Sequence, residues 1–129
     1  MSQQISSLSL AEGKNLIFEI KTKKKILDLK ITTARNEKRI LEIKKKKIRD
    51  ERKKRLEVIQ SEIKTAVTKS LKDSKRKNKL REATVFDNKL KTKKKDIDNV
   101  NKKINELQKE KGELLILQNK VQQHIYSLK

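Results

Sequence analysis

After residue 85 the apolar residues stand in two columns, each with a period of seven. One column is Phe86, Val100, Leu107, Leu114, Val121 and Leu128, broken once by Lys93. The other is Leu90, Ile97, Ile104 and Ile125, broken by Lys111 and Gln118. Interleaved at spacings of four and three, they define 13 positions, 10 of them apolar. In a chain that is only 33% apolar, an unpatterned sequence would fill roughly four of them. A mean spacing of 3.5 keeps one stripe turned toward a partner helix. The segment therefore reads as a coiled-coil seam, with Phe86, Leu90, Ile97, Val100, Ile104, Leu107, Leu114, Val121 and Ile125 as its contact residues.

Composition closes off the alternatives. Of 129 residues, 42% are charged, and there is no Pro, no Cys, no Trp and only two Gly. Sandwiches, barrels and doubly wound sheets need turn residues at strand ends and an apolar supply that this chain lacks. High charge with low hydrophobicity is also the signature of disorder; the periodicity argues for helices instead. No apolar run approaches the ~20 residues of a membrane span. Residues 1–10 do not pair a basic start with an apolar block, as a secretory signal would. The expected class is all-α, built of long coiled-coil helices and cytoplasmic.

The first half is helical too, with a rougher seam. Ser9 and Glu12 have the spacing of a capping box. Leu16, Ile20, Leu27, Ile31, Ala34, Leu41 and Ile48 then follow one stripe, which resumes at Leu56, Ile59, Ile63, Ala66 and Val67 after a shift near Arg52 and Arg55. Lys24, Lys38, Lys45 and Arg52 interrupt the stripe. Their stems can lie on apolar surface with the charge in water, so a loose seam is expected. Ile26, Leu29, Ile40 and Ile43 fall opposite the stripe and read as a face for a second partner.

Between Thr68 and Thr84 large apolar residues thin out, and Asp73, Ser74 and Asn78 offer side chains that compete with the helical backbone. This predicts an antiparallel hairpin: an N-terminal extension over 1–8, a basic helix over 9–71, a turn within 72–80 and a heptad helix over 81–128. One uninterrupted helix associating with other coiled-coil chains is the alternative.

Nothing in the sequence assembles catalytic, metal or cofactor chemistry. His124 is the sole histidine and reads as a surface residue. Gly13 and Gly112 stand alone rather than in a phosphate loop. Asp96 and Asp98 are two apart, so they diverge on a helix and cannot act as an acid/base pair. A non-enzymatic protein without cofactors is expected.

Charge is what remains. There are 37 basic and 17 acidic residues, a net charge of +20. Such a charge destabilises the compact state by self-repulsion unless a negative partner relieves it. The candidate polyanion-binding residues are Lys44, Lys45, Lys46, Lys47, Arg52, Lys53, Lys54, Arg55, Lys75, Arg76 and Lys77. Lys outnumbers Arg 30 to 7, whereas Arg suits bidentate phosphate contacts. The three aromatics, Phe18, Phe86 and Tyr126, are too few to stack single-stranded bases. The pattern favours an acidic protein surface such as a tubulin-like lattice, in a cytoskeletal setting such as a cilium or axoneme. Phosphate-backbone binding in a ribonucleoprotein or chromatin is the second choice. A stalk in a rotary or secretion machine is the third.

Overall fold

The computed structural model describes residues 5–129. It contains a short 3₁₀ turn at Ile5–Ser7 and two long helices, α1 (Leu10–Thr65, 56 residues) and α2 (Lys69–Ser127, 59 residues). Among the described residues there is no strand and no backbone with positive φ. The two helices pack against each other as an antiparallel hairpin, the expected all-α fold.

Helix α1 starts where the capping box places it. The Ser9 amide donates to Glu12 Oε1 and the Glu12 amide donates to Ser9 Oγ, each at 3.2 Å. Two amides that the first helical turn cannot use are thereby satisfied. The β-branched threonines within the helices are accommodated in one way. Thr22, Thr32, Thr33, Thr84 and Thr92 each donate their hydroxyl to the carbonyl four residues earlier.

The turn lies earlier than the sequence suggests. It occupies only residues 66–68, and the expected turn region, 72–80, is inside α2. The cause is a β-branched cluster ending in a cap. The Thr65 hydroxyl sits on the carbonyls of Ser61 and Glu62, and the Ala66 amide donates to the Ile63 carbonyl at 3.3 Å, which closes α1. Thr68 Oγ1 then accepts the Leu71 amide at 3.1 Å and opens α2 as its N-cap. Val67 at the tip is 93% exposed. The residues taken for breakers find partners along the helix instead: Asp73 binds Arg76, and Asn78 binds Arg81.

The chain divides into two compact units, each holding a stretch of both helices. The unit containing the chain ends combines residues up to Asn36 with Asn101–Lys129. Its core holds Ile20, Leu27, Ile31 and Ala34 of α1 and Ile104, Leu107, Val121 and Ile125 of α2, all buried. Leu27, Ile31 and Leu107 form one cluster, with Leu114 packed against it. Gln118 is buried where the heptad has a polar break, and it accepts a 3.2 Å hydrogen bond from Lys24 Nζ. Lys24 is one of the lysines expected to interrupt the α1 stripe, so the two polar breaks meet.

This unit also ties down the chain before α1 and corrects one expectation. The region of the expected extension that is described is tied down: Leu8 is buried, and its carbonyl lies 2.8 Å from His124 Nε2. Residues 1–4 of that extension lie outside the described residues. His124 is half-buried rather than on the surface. A carbonyl can only accept, so His124 is the donor and holds the chain before α1 onto the last turns of α2.

The turn-side unit, Glu37–Val100, has a thinner core. Only Ile59, Ile63 and Ile97 are buried, while Leu41, Ile48, Leu56, Phe86, Leu90 and Val100 are half-buried. Lys38, Lys45, Arg52 and Lys93 occupy seam positions and are half-buried as well. Phe86 is further covered by Lys89, whose ammonium lies 5.4 Å from the ring centre.

Candidate polyanion-binding surface

The turn-side unit holds all eleven candidate cations and most of the charge. It carries 24 Lys or Arg against 11 Asp or Glu, a net +13, and the unit of the chain ends carries 13 against 6, a net +7. A half-open seam explains the concentration. Alternate helical turns spend lysines at contact positions, and the outward positions between them are lysines again.

The eleven candidates separate into two groups. Five are engaged within the molecule. Arg55 Nε donates to both carboxylate oxygens of Glu82, at 3.0 and 3.3 Å. Arg52 Nε lies 3.1 Å from Asp87 Oδ1, close enough for charge attraction but not aligned as a hydrogen bond. Lys75 pairs with Glu62 at 3.4 Å and Arg76 with Asp73 at 3.2 Å. Lys45 is half-buried on the seam. These five have partners or cover within the hairpin, although Arg55 and Arg76 remain exposed to solvent. The other six, Lys44, Lys46, Lys47, Lys53, Lys54 and Lys77, are exposed and make no ion pair among the described residues.

The residue types sort with the groups. Arg55, Arg76 and Arg81 bind acceptors within the unit and Arg52 lies beside Asp87, while Arg39 and Arg49 are exposed and make no ion pair among the described residues. The cations left for a partner are mostly lysines. A lysine ammonium is a compact, strongly hydrated point charge that grips a carboxylate-rich surface without demanding a fixed geometry. Solvent-accessible pairs such as the half-buried Lys75–Glu62 contribute only about 0–1 kcal/mol each, so they favour the hairpin's register without neutralising it.

The second expected face is also outward. In the turn-side unit, Ile40 and Ile43 are exposed; in the unit of the chain ends, Ile26 and Leu29 are. Among the described residues no group of three or more His, Cys, Asp or Glu could hold a metal ion, and no helix is long and apolar enough to cross a membrane. No protein-family model, curated protein or solved structure matches the chain.

Proposed function

We propose that the protein is a non-enzymatic helical adaptor that docks on the acidic surface of a larger assembly through its turn-side unit. The observation that supports this most is the charge there: a net +13 over a thin core, with Lys44, Lys46, Lys47, Lys53, Lys54 and Lys77 exposed and without an ion pair among the described residues. A unit with so few buried residues and so much like charge gains stability from any negative surface that binds its folded form.

A carboxylate-rich protein lattice suits this inventory better than a phosphate backbone. Bidentate phosphate recognition calls on Arg forks; four of the unit's six arginines stand beside internal acceptors, and the two exposed ones, Arg39 and Arg49, are outnumbered by exposed lysines. A microtubule or axonemal lattice, whose acidic tails present diffuse negative charge, is the first candidate, and it implies a cytoskeletal location. Exposed aliphatics such as Ile40 and Ile43 supply anchors beside the lysines.

Co-sedimentation with microtubules tests the reading. The chain pellets with intact microtubules at low salt and loses most of its affinity when the acidic tails are cleaved. Replacing Lys44, Lys46, Lys47, Lys53 and Lys54 with Gln abolishes pelleting and leaves helicity intact. Absence of pelleting at low salt rejects the proposal. So does tighter binding to duplex RNA at matched ionic strength, with a salt slope near 0.9 per phosphate contacted.

A further inference from the structure

Between α1 and α2, wholly within the unit of the chain ends, runs a groove of about 540 Å³. Its floor is apolar: Ile26 and Leu27 from α1, Leu114 and Leu117 from α2. Its rims are charged and of opposite sign, with Lys23 and Lys30 on α1 and Glu110 and Glu113 on α2. Each helix thus presents residues at i, i+3, i+4 and i+7, the spacing of one face packed against another helix. Ile26 is 47% exposed at the edge of this floor. The four rim residues are exposed and make no ion pair among the described residues. On the other side of the seam the same helices are bridged by the Asp28–Lys111 ion pair, among Lys24, Thr32 and Arg35. That side offers no comparable apolar floor.

We propose that this groove is a self-association surface on which a second copy of the chain docks, groove to groove, giving a four-helix bundle from two such units. The charge pattern specifies the arrangement. Asp28 pairing with Lys111 sets the local register, so Lys30 and Glu110, and likewise Lys23 and Glu113, stand level to within about one helical turn. A two-fold axis along the helices lays each α1 on the partner's α2. It brings the Lys23 and Lys30 rim onto the partner's Glu113 and Glu110, and the reciprocal contacts follow by symmetry. A two-fold axis across the helices would set Lys on Lys and Glu on Glu. The rims are therefore self-complementary in one orientation only, and the joined floors bury Ile26.

The net charge of +20 per chain opposes this pairing at long range. Salt screens that long-range repulsion, with a Debye length of about 8 Å at 0.15 M, more than it screens rim pairs in contact, and it leaves apolar contact intact. Self-association consequently strengthens with salt. This inference rests on the hairpin alone and uses none of the outward lysines of the turn-side unit, so it stands or falls separately from the acidic-surface reading.

Analytical ultracentrifugation of the full chain between about 0.02 and 0.5 M NaCl tests it. The expected result is monomer at the low end and dimer at the high end. Ile26→Asp stays monomeric throughout, with unchanged helicity. The double variants K23E/K30E and E110K/E113K each weaken dimerisation at least about 10-fold, and mixing them equimolar restores a heterodimer. K23E/K30E lowers the net charge, so general repulsion alone would predict tighter, not weaker, association. A monomer at every salt concentration, trimers or larger species, or charge-reversed variants that dimerise as well as the parent would each overturn the proposal.

Discussion

Two glycines show how much a single position depends on what faces it. Gly112 has open space around it, and a Cβ there would meet nothing within 4 Å. Gly112→Ala removes the backbone entropy cost of a mid-helix glycine and should stabilise the chain by about 1 kcal/mol. Gly13 is buried, and a Cβ there would lie 2.8 Å from Ile125 Cγ1 and 3.1 Å from its Cδ1. The helices approach closely at that point because one of them has no side chain. Gly13→Ala gains the same propensity but overpacks the contact, for an expected net loss of about 1 kcal/mol. Thermal unfolding of the two variants beside the parent should therefore give melting temperatures shifted in opposite directions.

The Ser9–Glu12 box makes the start of α1 sensitive to pH. Hydrogen bonding by the Ser9 side chain, and then by its backbone amide, holds the Glu12 carboxyl below its ordinary value of 4.5. A carboxyl lowered in the folded state stabilises fully above its unfolded value, and the contribution disappears as pH falls through the lowered value. Glu12→Gln should melt below the parent at pH 7, and the gap should close in acid below pH 4.5. His124 illustrates the opposite case, a residue whose role had no sequence signature. Its partner is a backbone carbonyl 116 positions away, and no spacing rule marks such a contact.

At the scale of helices, the α2 seam was legible because apolar identity alone carries it. Ile97, Ile104, Leu107, Val121 and Ile125 are buried and Phe86, Leu90, Val100 and Leu114 half-buried, as the heptad implies. The polar breaks were legible as positions but not as a pair: Lys24 meets Gln118 only because the turn sets the register. That turn was misplaced because Asp73, Ser74 and Asn78 look like breakers, whereas the working signal is a threonine cap behind β-branched residues without any Gly or Pro. The two units should also differ in local stability. Amide exchange is expected to be slowest around Leu27, Ile31 and Leu107, and faster over residues 40–55, where Ile48 and Leu41 are only half-buried. Leu107→Lys, which buries a charge in that cluster, should remove most of the helical signal in circular dichroism; retained helicity would contradict the assigned seam.

For the molecule as a whole, fold and charge are two uses of one composition. The apolar residues suffice for a single seam with scattered exposed aliphatics beside it, 42% of the chain is charged, and two-thirds of the basic surplus falls in the turn-side unit. That unit's candidate site was only half legible. Runs such as Lys44–Lys47 were visible, yet which cations turn outward depends on which acids the hairpin sets beside them, as with Glu82 beside Arg55 and Asp87 beside Arg52.

The pairing of α1 with α2 depends on the chain folding back at residues 66–68. The absence of native cysteine allows spin labels to be placed at will, and Val58 and Leu80 are both exposed. Pulsed electron–electron resonance between labels at Val58→Cys and Leu80→Cys is expected to give a short distance. Labels at Val58→Cys and Lys94→Cys should lie about 20 Å further apart along the helix axis. A short Val58–Lys94 distance would move the turn to the mid-70s. A Val58–Leu80 separation of about 33 Å, the rise of one uninterrupted helix, would contradict the hairpin itself.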